Sequence, residues 1–154
     1  MNQIITPAAV RRSVTVKASR ERAWAVFTND IGRWWPHSHS IGASPFKTAT
    51  LEPHQGGRWY ETGEDGSECQ WGEVLTWDPP TRLVLAWRIG GEWRYDPDLL
   101  TEVEVNFTEE ASATRVDLEH RHLERMGAAE ERARAAFESP NGWAGVLALF
   151  AAAV

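Results

Sequence analysis

The chain has 154 residues, 42% hydrophobic and 25% charged, which excludes a disordered polymer and suits one domain able to bury a core without disulfide or metal staples. Its formal net charge is −6 and no basic run exceeds Arg11–Arg12, so nucleic acid and anionic membrane surfaces are expected to be poor partners, with no membrane insertion. Cys69 is the only cysteine, which leaves no intramolecular disulfide and no cysteine-based zinc motif.

No apolar N-terminal run resembles a signal peptide, and residues 1–10 read as a tail on a single domain spanning 1–154. RRSVTVKA (11–18) alternates, with Val14 and Val16 on one face, and predicts a half-buried strand. In SRERAWAVFTND, Ser19 is a suitable N-cap and Ala23, Val26 and Phe27 form an apolar stripe at helical spacing. GRWWPHSHSIG (32–42) ends this helical region, because Pro36 disfavours a helical Trp35. Adjacent residues of a terminal helical turn point in different directions, so only one of Trp34 and Trp35 is expected to pack inward.

After residue 48, strands alternate with turn chemistry: Gly56–Gly57, the hairpin signal Asp65–Gly66, Asp78–Pro79–Pro80 and Gly90–Gly91. Val103, Val105 and Phe107 alternate with Glu102, Glu104 and Asn106; Val116, Leu118, His120 and His122 alternate with Arg115, Asp117, Glu119 and Arg121. This is the pattern of an antiparallel sheet, apolar within and charged without. GAAEERARAAFE is helical, and Ser139–Pro140 reads as N-cap and first-turn proline of a second piece carrying Trp143, Val146, Leu147, Phe150 and Val154. That piece is the element to cover the sheet, and its WAGVLALFAAAV is too short to span a bilayer. A cytoplasmic protein is expected.

The order of elements, with GRWWP, GGRWYE, WGEV…DPP…LVLAW, DLEHRHLERMG and GWAGVLALF, resembles one branch of the START and birch-pollen-allergen superfamily. It is the branch named after the activator of the heat-shock chaperone ATPase, and the resemblance runs from about residue 11 to the end. It implies an α+β helix-grip fold: a curved antiparallel sheet of about six to seven strands around a long C-terminal helix, two short helices after the first strand, and a cavity between helix and sheet. Superfamily members carry lipids, sterols, polyketides or hormones, some cyclise polyketides, and the name-giving branch stimulates a chaperone; fold alone does not choose among these.

His37/His39 and His120/His122 are His-x-His pairs, but no carboxylate- or cysteine-rich partner motif accompanies them, and neither a metal nor any cofactor is expected. Cys69 has no basic neighbour in sequence to activate it, and neither a GxSxG turn nor a phosphate loop occurs. Glu61 and Glu73 lie on strands; the simplest expectation is that both are solvated, Glu73 being turned outward by a bulge at Gly72. Nine tryptophans are the most informative feature, since an indole offers apolar area together with a donor. The ligand-binding candidates are Trp35, Trp59, Glu61, Trp71, Trp87, His120, His122, Trp143 and Phe150, with GRWWPHSHSIG as a gate across the open end of the cavity. The leading function is binding of a small hydrophobic or amphipathic molecule. Two alternatives stand beside it: a cyclase or lyase using Glu61, His120 or His122, and an interaction module. The last means a homodimer through exposed Leu149 and Val154, or a chaperone partner implied by the family name alone.

Overall fold

The structure, a computed structural model, describes residues 8–154; residues 1–7 of the expected tail lie outside the described residues, and the first strand begins at Val10. The chain runs β1 (Val10–Val16), α1 (Arg20–Thr28), α2 (Ile31–Trp34), β2 (Phe46–Leu51), β3 (Arg58–Gly63), β4 (Glu68–Asp78), β5 (Arg82–Trp87), β6 (Thr101–Glu110) and β7 (Ala113–Arg121). A 3-10 segment (Leu123–Ala129), α3 (Glu130–Glu138) and α4 (Trp143–Ala153) complete it. Ser19 caps α1 as its sequence suggests, its hydroxyl accepting the Arg22 N–H at 3.1 Å.

The seven strands form one antiparallel sheet in the order β1-β7-β6-β5-β4-β3-β2. Alternation sorts the two faces of β6 and β7. Val103, Val105, Phe107, Val116 and Leu118 are buried inward, while Arg82 pairs with Glu104 at 3.0 Å and Arg121 with Glu102 at 2.8 Å outside. The Arg82 guanidinium, hydrogen-bonded to Glu104, holds that carboxyl down at about 2.

Curvature comes from β4. Trp59 pairs with Gly72 and Tyr60 with Gln70, so Trp71 is an extra residue in the ladder; Val74 pairs with Leu85 and Thr76 with Val84, so Leu75 is another. Each bulge bends the strand and reverses its side-chain parity. Trp71, Val74 and Trp77 therefore all reach the inner face, and Glu73 turns outward onto Arg88 at 2.5 Å, as expected of it. At the edges, a register shift at Lys47 interrupts β2, and Arg12 of β1 donates to the Glu138 carbonyl at 3.0 Å.

The C-terminal helical stretch of 31 residues, 123–153, is broken rather than continuous. Ser139 and Pro140 end α3 instead of starting α4: Ser139 is the C-cap, its hydroxyl donates to the Ala136 carbonyl at 2.7 Å, and Gly142 is the N-cap of α4. The Gly142 N–H closes a turn onto the Ser139 carbonyl at 2.9 Å, and the non-helical backbone of Gly142 (ψ −140°) delays the start of α4 to Trp143. Val146, Leu147 and Phe150 of α4 fill the hollow of the sheet, leaving Leu149 45% exposed and Val154 half-buried. The result is a helix-grip α+β fold. Among the described residues no helix is long and apolar enough to cross a membrane.

Gly72 lies tight against the backbone of β5: a Cβ there would lie 1.7 Å from the Ala86 carbonyl oxygen. Backbone cannot yield as a flexible side chain can, so Gly72→Ala should cost about 3 kcal/mol of stability, measured by urea unfolding.

Candidate functional site

A cavity of about 430 Å³ opens between the β4–β5 end of the sheet, residues 38–41, the β5–β6 loop and the α3–α4 connection. Its inner wall is aromatic: Trp35, Trp71, Trp87, Phe137 and Trp143, all buried. Ser38, Trp93 and Asn141, all exposed, mark the mouth.

Trp35 reaches this wall because α2 stops one residue earlier. Ahead of Pro36 it takes an extended ψ of 135°, which redirects its ring relative to Trp34. Both tryptophans are consequently buried, contrary to the expectation that only one could be. Trp34 packs on Phe27 (5.2 Å) and Phe150 (5.5 Å), whereas Trp35 packs on Trp71 (5.1 Å) and Trp143 (6.1 Å). The segment expected to gate the cavity does border it. The Trp35 indole donates to the His39 carbonyl (3.2 Å), and His39 Nε2 bonds the Asn141 carbonyl at 2.5 Å, tying residues 38–41 to the α3–α4 connection.

Behind the aromatic wall stand two polar side chains. Glu61 is only 1% exposed, which overturns its expected solvation. Its Oε1 accepts the Trp71 indole N–H (2.9 Å) and the backbone N–H groups of Ile41 (2.6 Å) and Gly42 (3.1 Å); Oε2 is buried without a partner. One carboxylate thus holds a wall ring and the gate segment together. Burial, with the Glu61 charge adding to it, pushes the nearby Cys69 thiol up and keeps it unreactive.

His120 is wholly buried. The Trp143 indole can only donate, so its 3.2 Å contact makes His120 Nδ1 the acceptor and leaves the proton on Nε2. That N–H donates to Thr101 Oγ1 (2.8 Å), whose own proton goes to the Trp87 carbonyl (2.9 Å). The relay joins α4, β7, β6 and β5. Burial, reinforced by the charge of Arg134, holds the imidazole down at about 3, so it is neutral at ordinary pH.

Of the residues singled out in the sequence, Trp35, Trp71, Trp87 and Trp143 line the cavity. Trp59 lies behind Trp71 (5.4 Å) and Trp87 (5.7 Å), Glu61 and His120 are its buried supports, and Phe150 is core against Phe27 at 5.2 Å. His122 is displaced altogether: β7 ends at Arg121, and a left-handed φ of 66° carries its ring out toward Glu124 (3.8 Å). The other pair also splits, His37 stacking on Phe46 (4.9 Å) while His39 turns to Asn141. Among the described residues no three His, Cys, Asp or Glu side chains are grouped to hold a metal. The sequence reading missed Ile89, Trp93 and Phe137. A lone tryptophan in the polar turn GGEWRY was the one available signal.

A family model described as "Activator of Hsp90 ATPase homolog 1-like protein" matches residues 17–154. Among solved structures, an anthrahydroquino-γ-pyrone synthase, Txn09, is 40% identical, with 97% of this chain and 98% of that one covered and a TM-score of 0.67. The self-sacrificing resistance protein CalC from Micromonospora echinospora is 37% identical, with 94% and 92% covered and a TM-score of 0.69. Protein MLL2253 from Mesorhizobium loti shares the fold at 19% identity, 94% coverage of both chains and a TM-score of 0.67. No curated protein matches the chain significantly.

The His120 relay carries a pH dependence. The folded protein resists protonating His120 down to about pH 3, whereas the unfolded chain takes the proton near 6.5. Between those values the unfolded state binds more protons, so this contribution to stability falls on acidification, by at most about 1.4 kcal/mol per pH unit. His120→Gln should be the less stable protein at pH 7, and the gap should narrow toward pH 4 in urea unfolding series.

Proposed function

This chain belongs to the Activator of Hsp90 ATPase homolog 1-like family, and from that premise we propose that it binds a flat, largely apolar aromatic molecule in the tryptophan-walled cavity. The observation that carries the reading is the direction of the indole donors. Trp35 gives its N–H to His39, Trp71 to Glu61, Trp87 to the Ile89 carbonyl (3.0 Å) and Trp143 to His120. The wall consequently offers ring faces and edges but no donors, which favours a π-system over a hydrogen-bonding polar ligand. Polar groups gather at the mouth, at Ser38, Ser40 and Asn141, suited to an oxygenated end of the same molecule. A volume of about 430 Å³ falls within the usual range of small-molecule sites, roughly 300–1,000 Å³. The relative at 40% identity is named for a fused-ring pyrone product, which supports the aromatic ligand class.

Binding is favoured over turnover by the placement of the acid–base candidates. Glu61 and His120 stand behind the wall and neither lines the cavity, even though Glu61 Oε2 is unpartnered, and His122 points away from it. His39 borders the cavity, but its Nδ1 meets Ser38 Oγ at 3.1 Å and its Nε2 meets the Asn141 carbonyl, so neither nitrogen is free for a substrate proton. An interaction role rests on no comparable feature.

Isothermal titration with alizarin, a planar hydroxyanthraquinone, should give saturable one-site binding. Ala136→Phe, which places a ring in the cavity, should raise Kd at least about tenfold while leaving the melting temperature near that of the parent. Absence of saturable binding across hydroxyanthraquinones, naphthoquinones and flavones would overturn the reading.

A further inference from the structure

Trp93 differs from every other tryptophan on the cavity. It is 44% exposed, and it holds a left-handed φ of 58°, a conformation costly for a bulky side chain. The strain is maintained by a tight local frame. The Trp93 N–H bonds the Gly90 carbonyl (2.9 Å), the Gly90 N–H bonds the Arg94 carbonyl (3.0 Å), and Ile89 bridges Tyr95. This small hairpin is clamped onto α3. A Cβ on Gly91 would lie 2.2 Å from that of Ala129, so only glycine permits the approach, and Arg132 donates to Glu92 at 2.8 Å. The ring that results stands edge-on to Phe137, 6.0 Å away at 90°, at the cavity mouth.

Its donor is also different. The other four indoles lining the cavity spend their N–H groups on the protein, whereas Trp93 Nε1 has no hydrogen-bond partner among the described residues. A solvent-exposed indole of this kind gains from burial against another ring and from an acceptor oxygen, and a bound ligand can supply both. We infer that Trp93 is the specificity-determining residue of the cavity, covering the outer face of the bound aromatic and donating its indole N–H to a carbonyl or phenolic oxygen on the ligand's rim. The inference rests on the aromatic-binding reading and narrows the ligand to an oxygenated fused-ring compound. It gives a use to the left-handed turn, which holds the ring at the mouth beside Phe137.

The test compares the parent protein with Trp93→Ala and Trp93→Phe, using alizarin and stopped-flow dissociation. Trp93→Ala should raise Kd at least tenfold, chiefly through faster release, with an unchanged melting temperature because the side chain is not core. Trp93→Phe keeps a ring but no N–H, and should recover part of the affinity, leaving a residual loss of about threefold or more. Parent protein that binds alizarin while Trp93→Ala binds it equally well overturns the inference and leaves the cavity reading intact. Full rescue by Trp93→Phe overturns the hydrogen bond specifically. Parent protein that fails to bind any of the oxygenated aromatics overturns the cavity reading, and the role of Trp93 with it.

Discussion

An indole buried against a sheet brings with it an N–H that water can no longer reach, and the cost of leaving it unpaired is about 1–3 kcal/mol. The four indole rings that form the cavity wall all meet that requirement, whereas Trp59 behind them keeps a buried N–H without a partner among the described residues. Trp71 finds the carboxylate of Glu61, Trp143 the imidazole of His120, Trp87 the carbonyl of Ile89, and Trp35 the carbonyl of His39. Each acceptor also fixes where its ring stands, so satisfying the donors sets the shape of the cavity. A wall of leucines would have filled the same hollow without this directional constraint.

The two side-chain acceptors act at different reach. Glu61 works locally, gathering Trp71 and the two backbone N–H groups of residues 41 and 42 onto one oxygen, so that the wall and the mouth share a support. His120 works across the fold, since its relay through Thr101 ends on the backbone of β5 and begins on α4. In a low-dielectric interior such chains are strong when complete and costly when one member is lost. The grip of sheet on helix is thus specified at one point by polar geometry and elsewhere by apolar contact.

Much of this architecture was legible in the sequence. The alternation in β6 and β7 assigned Val103, Val105, Phe107, Val116 and Leu118 inward, and the turn residues placed the hairpins. What escaped were features decided by one residue's backbone. The bulge beside Gly72 was expected, but the second one, at Leu75, was not, and the left-handed His122 ends β7 before its side chain can join His120. The end of α2 before Trp35 was expected from Pro36, but not that the break would send both rings inward. Site residues escaped for a second reason: Ile89, Trp93 and Phe137 meet the wall only through long-range packing of loop and helix, which no local pattern records. Glu61 was read as solvated because a strand carboxylate usually is. Its burial depends on Trp71 and on residues 41 and 42 arriving from elsewhere in the chain.

The open sheet leaves two strands, β1 and β2, with a free side. An unpaired strand edge is a template for a foreign strand, and proteins that stay dispersed blunt theirs. Here β2 carries an exposed lysine at its register shift, and α2 packs alongside it, while Arg12 ties β1 to the end of α3. The β2 edge therefore offers no uninterrupted ladder. The chain can keep a curved, half-closed sheet, and the hollow that goes with it, without inviting a foreign strand along that border.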